Sequence, residues 1–230
     1  PNYQVKSLVD CGLVVENAKG RADRFRDRIM FPILNDEGRT IGFGGRILEG
    51  DRPKYLNSPE TPLFHKGSLL YGVPQAQKAI GECGMAIVVE GYLDVIMLSQ
   101  GGIQNVVSTL GTATTAAHLE KLKSLASRVV FCFDGDTAGK NAAVKAMLAS
   151  AAAVGSDLDV GFMFLPKDED PDSYVRKHGA DSFRDRIQSA MPYEAFLLRY
   201  LRRDKDLESS EGRAQLAHES LELLNKIRDA

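Results

Sequence analysis

The 230-residue sequence predicts an α/β protein: an open, mainly parallel sheet with flanking helices, preceded by a small α+β subdomain and followed by a helical subdomain. Three observations lead there. Residues 86–89, 129–133 and 160–165 form short, almost uninterrupted apolar runs, as strands buried on both faces of a parallel sheet require. Segments of helical periodicity alternate with them, giving a βαβ rhythm with right-handed crossovers. Acidic residues recur just past the ends of these runs.

Taken in order, residues 4–10 predict a short helix, and 29–34 and 40–47 predict a β-hairpin. Asn35-Asp36-Glu37-Gly38 between those strands has turn chemistry. Residues 51–72 are rich in Pro, Gly, Ser and Asn and predict a mostly irregular stretch, of a kind that is often functional. From Cys83 onward the prediction is a strand at 86–89, a helix at 93–99, a strand at 105–108 and a helix at about 116–125. It continues with a strand at 129–133, an Ala-rich helix at about 139–154 and a strand at 160–165. Two further helices follow at 191–201 and 213–227. The expected division is 1–83 for a basic α+β subdomain, 84–180 for the parallel sheet and 181–230 for the helical subdomain.

With 43% apolar and 26% charged residues, the composition is that of an ordinary globular protein. The net charge of −2 hides an uneven distribution. Bases recur at Arg21, Arg24, Arg26, Arg28, Arg39, Arg46, Arg52, Lys54 and Lys66, and acids crowd at Asp168, Glu169, Asp170 and Asp172. A polyanionic partner is therefore compatible with the weak overall sign. Cys11, Cys83 and Cys132 form no C-x-x-C, so neither a disulfide framework nor a zinc ribbon is expected, and the thiols read as reduced and cytosolic. No apolar stretch approaches the roughly twenty residues of a membrane span, and no signal peptide is read. The chain opens on Pro1 rather than Met and reads as an excised piece of something longer.

The acids carry the chemistry. Glu90 follows the first apolar strand, Asp134 follows the third, and Asp136 stands two residues on, past Gly135. Asp170 and Asp172 come shortly after the last strand. Ligands of open α/β sheets bind outside the carboxyl ends of the strands, so all these acids belong at one edge. Like charges packed together repel, and a bound cation offsets the cost. An all-oxygen ligand set favours Mg²⁺ or Mn²⁺ over zinc. Two such ions about 3.5–4 Å apart can clamp the attacking and leaving oxygens of a phosphoryl displacement. Taken singly, a strand-end acid such as Glu90 is more often a helix cap or a surface charge, Asp134-x-Asp136 reads as well as a cap of the following helix, and Asp168 to Asp172 more often form a solvated loop; their shared edge is what joins them. An EF-hand starting at Asp134 fails because Lys145 stands where a bidentate Glu is needed. A P-loop fails on spacing, and Asn141 replaces its Ser or Thr. Asp134-Gly135-Asp136-Thr137 also looks like the nucleophile motif of haloacid-dehalogenase-type phosphatases, which leaves Glu90 without a role.

Glu90-Gly91-Tyr92-Leu93-Asp94 after one strand and Asp134-Gly135-Asp136 after another resemble the TOPRIM module. Longer strings narrow the resemblance: residues 24–33, Gly42-Phe43-Gly44-Gly45-Arg46, residues 53–61, Phe64-His65-Lys66-Gly67, Ser108-Thr109-Leu110-Gly111-Thr112 and Glu169-Asp170-Pro171-Asp172. Together they look like the catalytic core of bacterial DnaG-type replicative primases, from about Arg24 to at least Phe196. That resemblance implies a TOPRIM-type sheet and a template-directed RNA polymerase laying short primers on single-stranded DNA, with a 3′-hydroxyl attacking a ribonucleotide α-phosphate. It implies Mg²⁺ or Mn²⁺, two or more ions, held by Glu90, Asp134 and Asp136 with Asp170 and Asp172 in support, and Asp94 behind them. Asp94 reads equally as a cap of its helix or a partner to a base. Arg46, Lys54, Tyr55, Asn57 and Lys66 match a basic motif that contacts template or nucleotide phosphates; Glu90, Arg46, Lys54 and Lys66 are the implied catalytic set.

The implied partners are a single-stranded DNA template, ribonucleoside triphosphates and the RNA–DNA primer duplex, in the bacterial cytoplasm at a replication fork and with no membrane. The family's zinc-binding domain and helicase-binding domain are expected to lie outside this chain. Contacts to the replicative helicase and to single-strand-binding protein are then expected through absent regions, with no zinc in this piece. Other readings of the same acids are a TOPRIM nuclease, a topoisomerase fragment, for which none of the seven tyrosines stands out as the nucleophile, and a non-catalytic TOPRIM binding module.

Overall fold

The computed structural model describes residues 3–18, 20–50, 53–154 and 158–228; Arg52, among the bases named above, lies outside them. The chain opens with α1 (Val5–Asp10), β1 (Val14–Asn17), β2 (Gly20–Asp23), β3 (Arg28–Leu34), β4 (Thr40–Ile47) and β5 (Tyr55–Asn57). It continues as α2 (Val73–Cys83), β6 (Met85–Val89), α3 (Tyr92–Gln100), β7 (Val106–Ser108), α4 (Ala116–Leu125), β8 (Arg128–Phe133), α5 (Thr137–Ser150) and β9 (Asp159–Phe164). It ends with α6 (Pro171–Gln188), β10 (Met191–Pro192), α7 (Tyr193–Arg202) and α8 (Ser210–Arg228).

The main sheet has the order β10-β9-β8-β6-β7. β9, β8, β6 and β7 are parallel, and β10 runs antiparallel to β9 at the edge. Side chains alternate along each strand, so the apolar runs divide between two cores. Val88, Val129, Phe131, Phe133 and Phe162 face one way, where α2, α4, α5 and α7 cover them. Ile87, Val89, Val130, Cys132 and Met163 face the other way, under α3 and α6. Both faces are dry, which is why these strands show no polar alternation. The chain leaves β6 for β7 on one side and reaches β8 on the other, so the crevice at the carboxyl ends of β6 and β8 is the topological switch point.

The second sheet, β3-β4-β5, is antiparallel. Its β3–β4 turn closes with the Asn35 N–H donating to the Arg39 carbonyl (2.9 Å) and with Gly38 at φ 77°. Two contacts attach it to the main sheet. Ile33, Phe64 and Leu110 form a small buried cluster. Tyr71 exchanges backbone hydrogen bonds with Ser108 at the end of β7 (2.8 and 3.1 Å).

Five features differ from the sequence expectation or add to it. β1 and β2 form a hairpin with almost entirely exposed side chains, so they lack the apolar signal of a strand. β5 lies inside the stretch expected to be irregular and is only three residues long; it is a strand because β4 offers it an edge. α2 starts directly after Gly72 with a proline in its first turn and precedes the first apolar strand. β10 is two residues at the sheet edge. α6 is strongly polar, so it lacks a clear apolar stripe; Asp170 and Pro171 start it, and a kink at Gly179 (φ 84°, ψ 161°) interrupts it. The expected 180/181 division falls just after that kink, within α6.

Candidate metal centre

Each acid is set by the element it borders. Glu90 is the first residue past β6, and one of its carboxylate oxygens is buried with no hydrogen-bond partner. The Asp134 N–H donates to its carboxylate, but burial and the nearby Asp136 raise its pKa. Asp134 is the first residue past β8; burial, followed by repulsion from Glu90, Asp170 and Asp136, raises its pKa to about 6. Asp94, in the first turn of α3, is raised to about 7 by burial and then by Asp134 and Asp170. Its carboxylate accepts the Gly91 N–H (3.1 Å), so it caps its helix as well as facing the cluster.

Asp136 and Asp170 are both helix caps. Asp136 accepts the Gly139 N–H (2.7 Å) at the start of α5, and Asp170 accepts the Ser173 N–H (2.7 Å) at the start of α6. Each keeps its second oxygen outside that bond. Gly135 holds the two loops together: a Cβ there would lie 2.4 Å from the Pro166 carbonyl oxygen and 2.5 Å from that of Leu165. Only a residue without a side chain lets the β8–α5 turn rest on the chain leaving β9. Asp172 goes elsewhere. It lies in the first turn of α6 and pairs with Arg176 (2.6 Å).

A cavity of about 310 Å³ unites most of the predicted set, with Glu90, Asp94, Asp134, Asp170, Tyr55 and Asn57 in its wall. Asn57 is fixed by its side-chain N–H to the Leu110 carbonyl (2.9 Å), and its own carbonyl accepts from Arg24 (2.9 Å). Tyr55 stands opposite Arg46 across β4 and β5 and feels the charges of Arg46, Asp94 and Asp170. The Lys54 ammonium sits 5.6 Å from the centre of the Tyr55 ring, outside the cavity wall. Lys66 also lies outside the wall; its backbone N–H donates to Glu60 (3.1 Å) and its carbonyl meets His118 Nε2 (3.0 Å).

Sequence reasoning gave Tyr92 no role. It is 5% exposed, its ring lies 4.9 Å from Phe31 and 5.7 Å from both Tyr55 and Tyr71, and burial lifts its hydroxyl to a pKa of about 12. The Tyr92 hydroxyl and Arg46 Nε are both buried without a partner. The signal was present: Tyr92 directly follows Glu90-Gly91, and Gly44 is the small residue opposite, where a Cβ would come 2.8 Å from the ring.

The donor set is all oxygen, and an orphaned Glu90 oxygen beside carboxylates that repel one another is the condition a divalent cation relieves. Among the described residues, no three His, Cys, Asp or Glu side chains already converge as a finished coordination shell. The residues fit such an ion by chemistry and proximity, and their side chains must turn to hold it.

A parallel sheet whose switch point gathers these carboxylates defines a Toprim-type domain, and residues 87–175 match the family described as Toprim-like. Residues 1–77 match the DNA primase catalytic core, N-terminal domain, and residues 195–230 match the DnaB-helicase binding domain of primase. The chain is 49% identical over 229 residues to a DNA primase of Pseudomonas aeruginosa, covering 98% of this chain and 34% of that protein. A crystal structure of a DNA primase domain from Pseudomonas aeruginosa superposes with a TM-score of 0.94 at 49% identity, covering 99% of this chain and 72% of that one. A DnaG primase catalytic domain bound to ssDNA gives a TM-score of 0.92 at 47% identity, covering 97% and 70%. The chain therefore belongs to the DnaG-type DNA primases and represents part of their catalytic core. It spans about a third of the length of the curated relatives it matches. Toprim domains and primases generally use divalent metals. The match at 195–230 corrects the expectation that the helicase-binding region lies wholly outside this chain.

Proposed function

We propose that this protein performs the nucleotidyl transfer of primer synthesis: a primer 3′-hydroxyl attacks the α-phosphate of a ribonucleoside triphosphate on a single-stranded DNA template, and pyrophosphate leaves. The observation that carries the proposal is the cavity in which Glu90, Asp94, Asp134 and Asp170 face Tyr55 and Asn57. Carboxylates for cations and groups suited to a nucleotide line the same cavity. Glu90, Asp134 and Asp136 would hold Mg²⁺ or Mn²⁺, with Asp170 and Asp172 supporting. Two or more such ions, when bound, neutralise phosphate charge and favour ionisation of the attacking hydroxyl.

The protein's own groups account for orientation. Arg46 offers a planar fork to phosphate oxygens, and its Nε has no partner to surrender first. Tyr55 presents a ring, 43% exposed, on which a base can stack, and Asn57 has a free, buried amide oxygen to accept a hydrogen bond. Lys54 and Lys66 would meet template or triphosphate from outside the cavity as point charges. Asp94 supports the cluster from behind through its cap on Gly91. We propose the division 1–83, 84–180 and 181–230, supported by the change of sheet after β5 and the kink at Gly179.

The relatives named as DNA primases, the ssDNA bound to one related catalytic domain and the helicase-binding match of residues 195–230 support a replication setting in a bacterial cytoplasm. Ribonucleoside triphosphates, a primer duplex, the replicative helicase and single-strand-binding protein complete the proposed partners. No helix among the described residues is long and apolar enough to cross a membrane.

The test is ribonucleotide incorporation on single-stranded DNA with Mg²⁺ or Mn²⁺. Template-dependent oligoribonucleotides that vanish in Asp134→Ala support the proposal. Nucleotide binding without any product, under either ion, favours a binding module, and template cleavage instead of synthesis favours a nuclease.

A further inference from the structure

A second cavity, of about 290 Å³, opens between α5 and α7 beside the end of β9. Phe164, Phe196 and Tyr200 line it with aromatic surface, and Lys140, Arg199 and Arg203 supply charge. The aromatic floor is anchored, because the Phe196 ring stacks on Phe162 of the core at 4.6 Å and meets Phe164 at 5.5 Å. The Arg203 guanidinium lies 3.4 Å from the centre of the Tyr200 ring and donates to the Tyr200 carbonyl (2.8 Å). Glu219, the acid that feels Arg203, is itself held by Lys205 at 2.8 Å. An open groove adjoins the cavity, shares Arg199 and Arg203, and adds Arg202 and the half-exposed Leu198.

Positive charge with so little carboxylate to answer it, arranged over an aromatic floor, suits a ligand that is planar at one end and anionic at the other. A nucleotide has that form: its base stacks on an aromatic ring, and its phosphate takes a charge-assisted hydrogen bond from a guanidinium. The charge does not stop at one guanidinium, since Arg199 and Arg202 in the last turn of α7 and Arg203 just past it all line the groove. We propose that this face binds a segment of single-stranded nucleic acid, one base seated against the side of the Tyr200 ring that Arg203 does not cover, over the edge of the buried Phe196, and the adjoining phosphates beside Arg199, Arg202 and Arg203. The surface is separate from the carboxylate cavity and does not depend on what that cavity does; most of α7 falls within the stretch 195–230 that matches the helicase-binding domain, so the test also reads helicase capture.

The test uses the whole protein in EDTA with a fluorescein-labelled oligothymidylate, read by anisotropy across a NaCl series. Tyr200→Leu keeps the bulk of the side chain and is expected to weaken binding about five-fold or more by loss of stacking. Arg199→Glu is expected to lower the slope of log K against log salt by about 1. In parallel, an oligonucleotide carrying 5-iodouracil is photo-cross-linked to the unaltered protein, and the adduct is located by mass spectrometry on the peptide that contains Phe196 and Tyr200. That arm decides the matter even if a variant folds poorly. Unchanged affinity and slope in folded variants, or adducts only elsewhere, overturn the proposal. Equal competition by free thymidine monophosphate also overturns it, as a mononucleotide pocket. So does loss of helicase capture in variants that bind the oligonucleotide normally, which would make α7 a protein-docking face.

Discussion

At the scale of single residues, the carboxylates are held at a cost, and pH exposes it. Asp94 and Asp134 have folded-state pKa values of about 7 and about 6, against 3.8 in an open chain. The folded state thus binds more protons between those limits, and the stability these groups contribute is present below about pH 4 and lost as pH rises to about 7. In metal-free buffer, Asp94→Asn is expected to become more stable relative to the parent as pH climbs from 4 to 7, by at most about 1.4 kcal/mol for each step of one in pH. Urea unfolding at several pH values checks this, and an unchanged difference would mean Asp94 is solvated. Adding divalent cation should narrow the gap. Gly135→Ala puts a methyl against the Pro166 carbonyl. It should cost about 1–3 kcal/mol of stability and weaken metal binding at least ten-fold, measured by calorimetry. Asp172→Ala should weaken it much less than Asp170→Ala, because Asp172 is engaged with Arg176.

At the scale of elements, the site is a docking problem. β4 and β5 bring Tyr55 and Asn57, with Arg46 opposite Tyr55, to carboxylates that belong to a different sheet. The Tyr92 ring packed on Gly44 is one join, and the Asn57 side-chain bond to Leu110 is another. Gly44→Ala is expected to push that ring aside, cost about 1–3 kcal/mol in urea unfolding, and weaken nucleotide binding while leaving metal affinity within about two-fold of the parent. Loss of both affinities together would show that the small sheet also shapes the carboxylates. The elements that were legible in sequence are those with a local signal. The strands from β6 to β9 announced themselves as apolar runs, and segments of helical periodicity marked the helices between them. β5 and β10 had none, and α6 had a start signal in Asp170-Pro171 but no apolar stripe to extend it. β5 exists because β4 has a free edge, and α6 is mostly polar between its cap and its few core residues, Tyr174, Phe183 and Ile187.

At the scale of the whole molecule, stability is concentrated in the parallel sheet. β6, β7 and β8 are almost completely buried, while α1 buries no residue and β1 and β2 are exposed along most of their length. Hydrogen exchange should therefore be fastest in α1 and the β1–β2 hairpin and slowest in β6 and β8; comparable protection in both would indicate a partner covering the hairpin. The sequence by itself determined the fold class, the strand ends that carry Glu90 and Asp134, and membership of a metal-using family, because apolar runs, turn residues and short motifs are local and survive without coordinates. Only the tertiary structure decided that Asp170 and Asp136 are caps, that Asp170 lines the cavity with Glu90 and Asp134, that Asp172 turns to Arg176, that Tyr92 joins the two sheets and that Lys54 and Lys66 stand outside the wall. Those facts depend on which way a side chain points once distant segments pack. Packing is a property of the whole chain, with no trace in the spacing of any one stretch.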